Sequence, residues 1–215
     1  MSLAEVVAAW EVVGATGLRE AIHPTGADGG AYDASGDKTA AAVLEAFGNL
    51  PPGPLIDFGA GDGRVAIPLS YQTNRSILAA DSSAAMLDQL RRRPAGGRGV
   101  STFLADGTSP LPERAAGIYA IAVLIHHRHE DAARIVSSLA DSLFPDGKLV
   151  LDLPLYEESR EPKDWIDIAV WTLPELEELA SSLGLRVTSS TVYPGAFSWE
   201  TVHPHDWVVL EKTWR

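Results

Sequence analysis

The feature that most constrains this chain is a glycine-rich turn. Leu55-Ile56-Asp57-Phe58 is a short apolar run, preceded by the breaker Pro51-Pro52-Gly53-Pro54 and followed at once by Gly59-Ala60-Gly61-Asp62-Gly63. An apolar run of four bounded by turn residues reads as a buried strand. Glycines between a strand and a helix let the backbone turn tightly and come close to a ligand, and the helix start then offers amide donors. In an open α/β sheet such a junction lies at the carboxyl ends of the strands, where ligands bind.

The rest of the chain alternates short strand-like and longer helical patterns, the order of a doubly wound, mostly parallel sheet. The patterns predict strands over 55–58, 77–80, 100–104, 118–125, 148–153, 186–193 and 207–214, and helices over 3–18, 38–47, 64–72, 84–92, 131–143 and 174–183. The stretch holding Gly26, Gly29, Gly30 and Gly36 reads as a linker between the first two helices. Thr172 is placed to cap the last helix, Pro174 suits its first turn, and Gly184 ends it. The irregular Pro194–His205 segment ahead of the final strand predicts that the last two strands pair antiparallel. The expectation is one α/β domain over 1–215, with 1–50 as an N-terminal helical lid and 51–215 as a Rossmann-like core of seven strands.

The competing readings of the glycine turn separate on one residue. A dinucleotide-binding turn requires Gly-x-Gly-x-x-Gly, and from Gly59 the third glycine falls on Arg64. Asp81 closes the second strand near the spacing at which an acidic side chain reaches a ribose hydroxyl. Asp106 closes the third, with Gly107 beside it; an ordinary turn aspartate is the other reading there.

Asp57-x-Gly59-x-Gly61-x-Gly63 resembles the first motif of class I S-adenosylmethionine-dependent methyltransferases. The resemblance implies that Asp57, Gly59, Ala60 and Gly61 wrap the methionine part of S-adenosylmethionine. It further implies that Asp81 binds the ribose with Ser82 and Met86 following, and that Asp106 with Gly107 meets the adenine. Met86 is equally suited to fill helix core. The run from Asp57 to Leu69 and the upstream Tyr32-Asp33-Ala34-Ser35-Gly36 resemble a bacterial subgroup of stand-alone methyltransferase domains. There an N-terminal segment folds over the cofactor, which would bring Tyr32, Ser35 and Gly36 near it. Leu143–Val150 resembles the loop and fifth strand that recur in the family. The chain departs from it at Ala116-Gly117, where Phe-Asp is common, and it carries no Asn-Pro-Pro-Tyr motif.

Methyl transfer from an activated sulfonium needs orientation and desolvation more than acid–base groups. The candidates for taking a proton are His126 and His127, read as following the fourth strand with imidazoles near their ordinary pKa; a packing or helix-start role is the alternative. Segments 156–165 and 193–207 supply candidate acceptor contacts, among them Arg160, Phe197, Trp199, Glu200, His203 and His205. The spacings in His126–His129 and His203–His205 are compatible with a metal, but Arg128 opposes one and no metal is expected.

Composition narrows the partners. The formal net charge is −12, and the one basic cluster, Arg91-Arg92-Arg93 with Arg98, falls at a predicted helix end, so nucleic acid is disfavoured. There is no cysteine, no apolar run of membrane length and no signal-like start, so a cytoplasmic, soluble protein with a small-molecule acceptor is expected. The alternatives are a nicotinamide-dependent oxidoreductase and a catalytically silent S-adenosylmethionine-binding or interaction protein.

Overall fold

The structure is a computed structural model, and it describes residues 2–17, 19–23, 26–97, 99–192 and 205–213. Two helices come first, α1 (Leu3–Thr16) and α2 (Gly29–Phe47). They are followed by β1 (Leu55–Phe58), α3 (Ala66–Gln72), β2 (Ile77–Asp81), α4 (Ala84–Arg91), β3 (Val100–Leu104), β4 (Ala115–Ala120), α5 (His129–Asp141), β5 (Leu143–Leu153), α6 (Leu173–Ser182), β6 (Leu185–Val192) and β7 (Asp206–Lys212). Short 3-10 turns occupy Arg19–Ala21 and Leu124–His126.

The seven strands form one sheet in the order β3-β2-β1-β4-β5-β7-β6. The first five run parallel, with Ile56 beside Leu78 and Ile118. β7 is antiparallel to both β5 and β6, as the irregular segment before it predicts. Both faces of the sheet are covered, so its central strands are buried along their whole length. Alternate residues feed two cores: Ile56, Leu78, Ile118 and Leu149 pack under α5 and α6, while Leu55, Ile77, Tyr119 and Val150 pack with α2 and α3.

The chain winds outward from β1 to β3, then crosses back to place β4 on the other side of β1. That reversal opens a crevice beyond the carboxyl ends of β1 and β4.

Three boundaries differ from the sequence reading for local reasons. α2 begins at Gly29, not Lys38, because the Asp28 carboxylate caps the glycine stretch by accepting from the N–H groups of Gly30 and Ala31 at 2.9 and 3.1 Å. β4 spans Ala115–Ala120 and stops well short of Ile125, because Ala122 adopts a left-handed φ of 57° that ends the extended run. His126 and His127 therefore lie on and just after the 3-10 turn rather than at the strand end. β5 begins at Leu143 and passes through Asp146, also at positive φ, so part of the presumed loop is ladder. The α6 cap is as expected: Thr172 and Glu175 form a reciprocal capping box, and Gly184 adopts φ 68°.

Candidate active site

Two cavities open at the crevice. The first, of about 470 Å³, is bounded by the glycine turn, by Asp81 and Met86, by Ile121–Val123 with His126 and His127, and by Val6, Val7 and Trp10 of α1. Glu20–His23 and residues from the 160–168 segment complete its wall. The second, of about 860 Å³, runs over the ends of β2 and β3 between α1 and α5, with Asp106 and Glu11 in its wall. Val7 and Ser82 line both, so the two chambers are halves of one groove under α1.

The glycine turn is shaped by close neighbours. Gly59, Gly61 and Gly63 all have positive φ. A side chain on Gly59 would start 2.2 Å from Val123, whereas one on Gly61 would point into open space. The turn is therefore tight against β4's exit yet leaves a cradle at Gly61, which fits a ligand lying against its backbone.

Each strand-end carboxylate has a different environment. Asp57 is buried in the first chamber, and burial raises its pKa to about 7. The Tyr119 hydroxyl next to it and the Arg64 charge act in the opposite direction. Asp81 accepts from Gly61 N–H at 2.7 Å and from Ser83 N–H at 2.8 Å, and burial holds its pKa above the ordinary carboxylate value. Asp106 is exposed. It accepts from Thr108 N–H, Ser109 N–H and the Ser109 hydroxyl, which lower its pKa to about 2. The turn-aspartate role thus holds for Asp106, and its carboxylate still lines the second chamber.

His126 and His127 are both buried at the cavity wall, and among the described residues neither Nδ1 has a hydrogen-bond partner. Burial lowers both to a pKa of about 4, correcting the expectation of ordinary imidazoles. Both are neutral at pH 7. The 160–168 segment reaches the cavity through Arg160, whose guanidinium is engaged by Asp167 at 2.7 and 3.2 Å and by the Ile168 carbonyl at 2.7 Å.

The structure gathers Asp57, Gly59, Ala60, Gly61, Asp81, Ser82, Met86, His126 and His127 around the first chamber. Tyr32, Ser35 and Gly36 take a different place. They lie behind the glycine turn, where the Tyr32 hydroxyl donates to Asp62 at 2.7 Å and Arg64 donates to the Ser35 hydroxyl at 3.3 Å. Gly36 passes so close to the Arg64 carbonyl that a Cβ would sit 2.1 Å from its oxygen. These residues brace the turn from behind. Asp62 is fully buried there between Tyr32, Arg19 at 3.1 Å and Arg93 at 3.6 Å. The basic cluster is spent locally: Arg91 pairs with Asp88 and Arg93 with Asp33, while Arg98 lies outside the described residues. Phe197, Trp199, Glu200 and His203 also lie outside them. His205 is buried and pairs with Asp152 at 2.7 Å. No cluster of three metal-ligating side chains occurs among the described residues.

The sequence reading missed Trp10 and the Glu20–His23 wall. Trp10 carried a signal, a large aromatic on the first helix, but one shared with any core-facing tryptophan.

Comparison with known proteins bears on the same region. Residues 55–147 match the family model of a methyltransferase domain. No curated protein sequence matches the chain. Among solved structures, the Burkholderia thailandensis 1,6-didemethyltoxoflavin-N1-methyltransferase with bound 1,6-didemethyltoxoflavin and S-adenosylhomocysteine is 18% identical, over 94% of this chain and 88% of that one, with a TM-score of 0.67. Magnesium protoporphyrin IX methyltransferase from Synechocystis PCC 6803 with bound S-adenosylmethionine is 19% identical, over 84% and 79%, with a TM-score of 0.64. A pericyclic reaction enzyme is 15% identical over 80% of this chain and 47% of that one, with a TM-score of 0.62. At these identities the likeness is one of fold. Residues 55–147, somewhat under half of the chain, thus resemble a methyltransferase domain, and they sit on a fold shared with structures that hold S-adenosylmethionine or S-adenosylhomocysteine.

Proposed function

We propose that the groove binds S-adenosylmethionine and that the chain transfers its methyl group to an oxygen or nitrogen of a small-molecule acceptor. One observation carries this reading. Asp57, Asp81 and Asp106 stand at the ends of three adjacent strands along a groove divided into two chambers. That spread suits an elongated ligand with a cationic amino-acid end, a diol and a nitrogenous base. The Gly61 cradle leaves room for its backbone contact.

Bound S-adenosylmethionine supplies a methyl group on a positively charged sulfur, already activated towards a nucleophile. In the first chamber Asp57 balances the ammonium of the methionine end. Asp81 offers its remaining lone pairs to the ribose hydroxyls, and Asp106 accepts from the adenine amino group in the second chamber. In a single-domain enzyme over 1–215, the lid expected of residues 1–50 falls to α1: Trp10 and Val7 cover the groove, and Glu11 ties α1 to the start of α4 through the Ser83 hydroxyl at 2.6 Å. Covering the groove excludes water and strengthens the charge contacts inside it.

His126 and His127 are the proton acceptors in this reading. An imidazole held near pKa 4 takes a weakly acidic proton poorly. It suits an acceptor atom that becomes strongly acidic as the methyl arrives, which describes a hydroxyl oxygen better than an amine. Ile121, Val123, Ile166, Ile168 and Trp10 supply an apolar wall for such an acceptor. The net charge of −12 counts against a nucleic-acid acceptor. No described helix is long and apolar enough to cross a membrane, in keeping with a cytoplasmic enzyme.

A second reading, cofactor binding without methyl transfer, is favoured by the depressed basicity of both histidines and by the occurrence of this fold in a pericyclic reaction enzyme. Calorimetry tests the first point: S-adenosylmethionine and S-adenosylhomocysteine bind and NAD does not, and binding of NAD alone would overturn the proposal. Transfer of labelled methyl to a panel of hydroxylated and heteroaromatic small molecules separates the two readings. His127→Ala is expected to keep S-adenosylhomocysteine affinity and to lose turnover.

A further inference from the structure

Asp152 is a charged residue inside an apolar run, Leu149-Val150-Leu151-Asp152-Leu153, and it has no part in the chemistry above. β5 places its carboxylate in the interior at 1% exposure, where an acid must be paired or hydrogen-bonded. Its two oxygens go to different parts of the fold. Oδ1 accepts from His205 Nδ1 at 2.7 Å, and His205, 2% exposed, sits immediately before β7. Oδ2 accepts from the N–H of Ala122 at 3.1 Å.

Ala122 is one of two non-glycine residues at positive φ among those described. A left-handed alanine is disfavoured unless its surroundings impose it, and such residues gather at functional sites. Ala122 lines the first chamber between Ile121 and Val123. Val123 packs on Gly59 of the cofactor turn. The 3-10 turn that follows carries His126, which feels the charges of both Asp152 and His205. A pair that served only to join β7 to β5 would have no need of the bond to Ala122.

We propose that Asp152 and His205 are positioning residues for methyl transfer. Their pair clamps the Ala122 N–H, holds that one residue left-handed, and so sets Val123 against the glycine turn and His126 against the acceptor space. The role of the pair in catalysis rests on the methyl-transfer reading; the clamp itself does not.

Amide-resolved hydrogen exchange on four variants tests it, with S-adenosylhomocysteine affinity measured alongside. Asp152→Ala and His205→Ala each speed exchange at Ala122 about tenfold or more, the loss of roughly one hydrogen bond. Asp152→Asn retains an oxygen for the Ala122 N–H, and His205→Asn retains an N–H for Asp152, so both restore protection. The rescue at Ala122 reports the bond; methyl transfer lost with the alanines and regained with the asparagines reports the positioning role, which a purely structural pair would not show. S-adenosylhomocysteine affinity falls less than methyl transfer in the alanine variants, because the three strand-end carboxylates are untouched while the turn beside Gly59 loosens. Unchanged exchange at Ala122 in the alanine variants, or asparagines that fail to restore it, overturns the clamp. Should Asp152→Ala not fold, the two His205 variants give the same comparison. Failure of the wild-type chain to bind S-adenosylhomocysteine would instead overturn the cofactor reading and leave the exchange result standing.

Discussion

The indole of Trp10 lies against the imidazole of His126, their ring centroids 5.5 Å apart, and meets Trp165 edge-on at 5.7 Å. One side chain on the first helix thus touches both the turn after β4 and the segment after β5. Trp10→Ala removes both contacts and opens the first chamber. The expected result is weaker S-adenosylhomocysteine binding, by about tenfold, with little loss of global stability. Calorimetry beside thermal unfolding checks it; unchanged affinity would mean that α1 does not cover the ligand.

Asp81→Ala should weaken S-adenosylhomocysteine binding by about 10- to 100-fold, the worth of a charged hydrogen-bond acceptor. Part of that loss comes from the glycine turn, since Asp81 also holds the Gly61 N–H. Asp81→Asn keeps one acceptor oxygen and falls between. An affinity indifferent to both changes would displace the ribose from β2.

Asp57 gives the groove a pH dependence with a definite sign. Burial raises its pKa to about 7, so near neutrality a large fraction is protonated in the free protein. Only the ionised form balances an ammonium, so S-adenosylhomocysteine binding tightens as pH rises from 6 to 8. Asp57→Asn flattens that profile and lowers affinity throughout. A profile unchanged by the substitution would assign the titration to another group.

Stability responds to acid in the same sense as binding, but through different groups. Burial lowers His23 to about 3 and His126 and His127 to about 4, against an ordinary 6.5. As pH falls from about 6.5 towards 4, the unfolded chain takes up protons that these folded imidazoles refuse, so stability is lost. Asp57 opposes this, because between about 3.8 and 7 the folded form holds a proton that the unfolded chain has lost. Asp81 and Asp206, also raised by burial, act with Asp57, but the three histidines set the sign, and the melting temperature should fall across that window. His126→Asn and His127→Asn should each lessen the fall.

Asp62 is the keystone behind the glycine turn. Asp62→Ala leaves Arg19 and the Tyr32 hydroxyl without their buried acceptor, and is expected to cost about 3–5 kcal/mol in urea unfolding. Tyr32→Phe, which deletes one hydrogen bond, should cost about 1 kcal/mol.

The legible parts of this protein are those set by local sequence. β1 and β3 have the bounds that their apolar patterns predict, and Asp57, Asp81 and Asp106 fall at strand ends because strand length and turn chemistry are local. What escaped the sequence depends on contacts between distant segments. Tyr32 was expected beside the ligand and instead reaches Asp62, thirty residues away, because packing of α2 on α3 decides where that helix face points. The pKa values of His126 and His127 follow from burial, which neighbours decide and motifs do not encode. Arg64, useful in sequence only as a missing glycine, lies inside the turn ahead of α3 and becomes a chamber wall.

The partition of the groove at Val7 and Ser82 has a practical consequence for inhibitor design. Each chamber has its own polar anchor, so fragments found separately for the two sides can be joined by a linker crossing at Ser82. The gain then comes from effective concentration, and a linker too short to span the divide forfeits it.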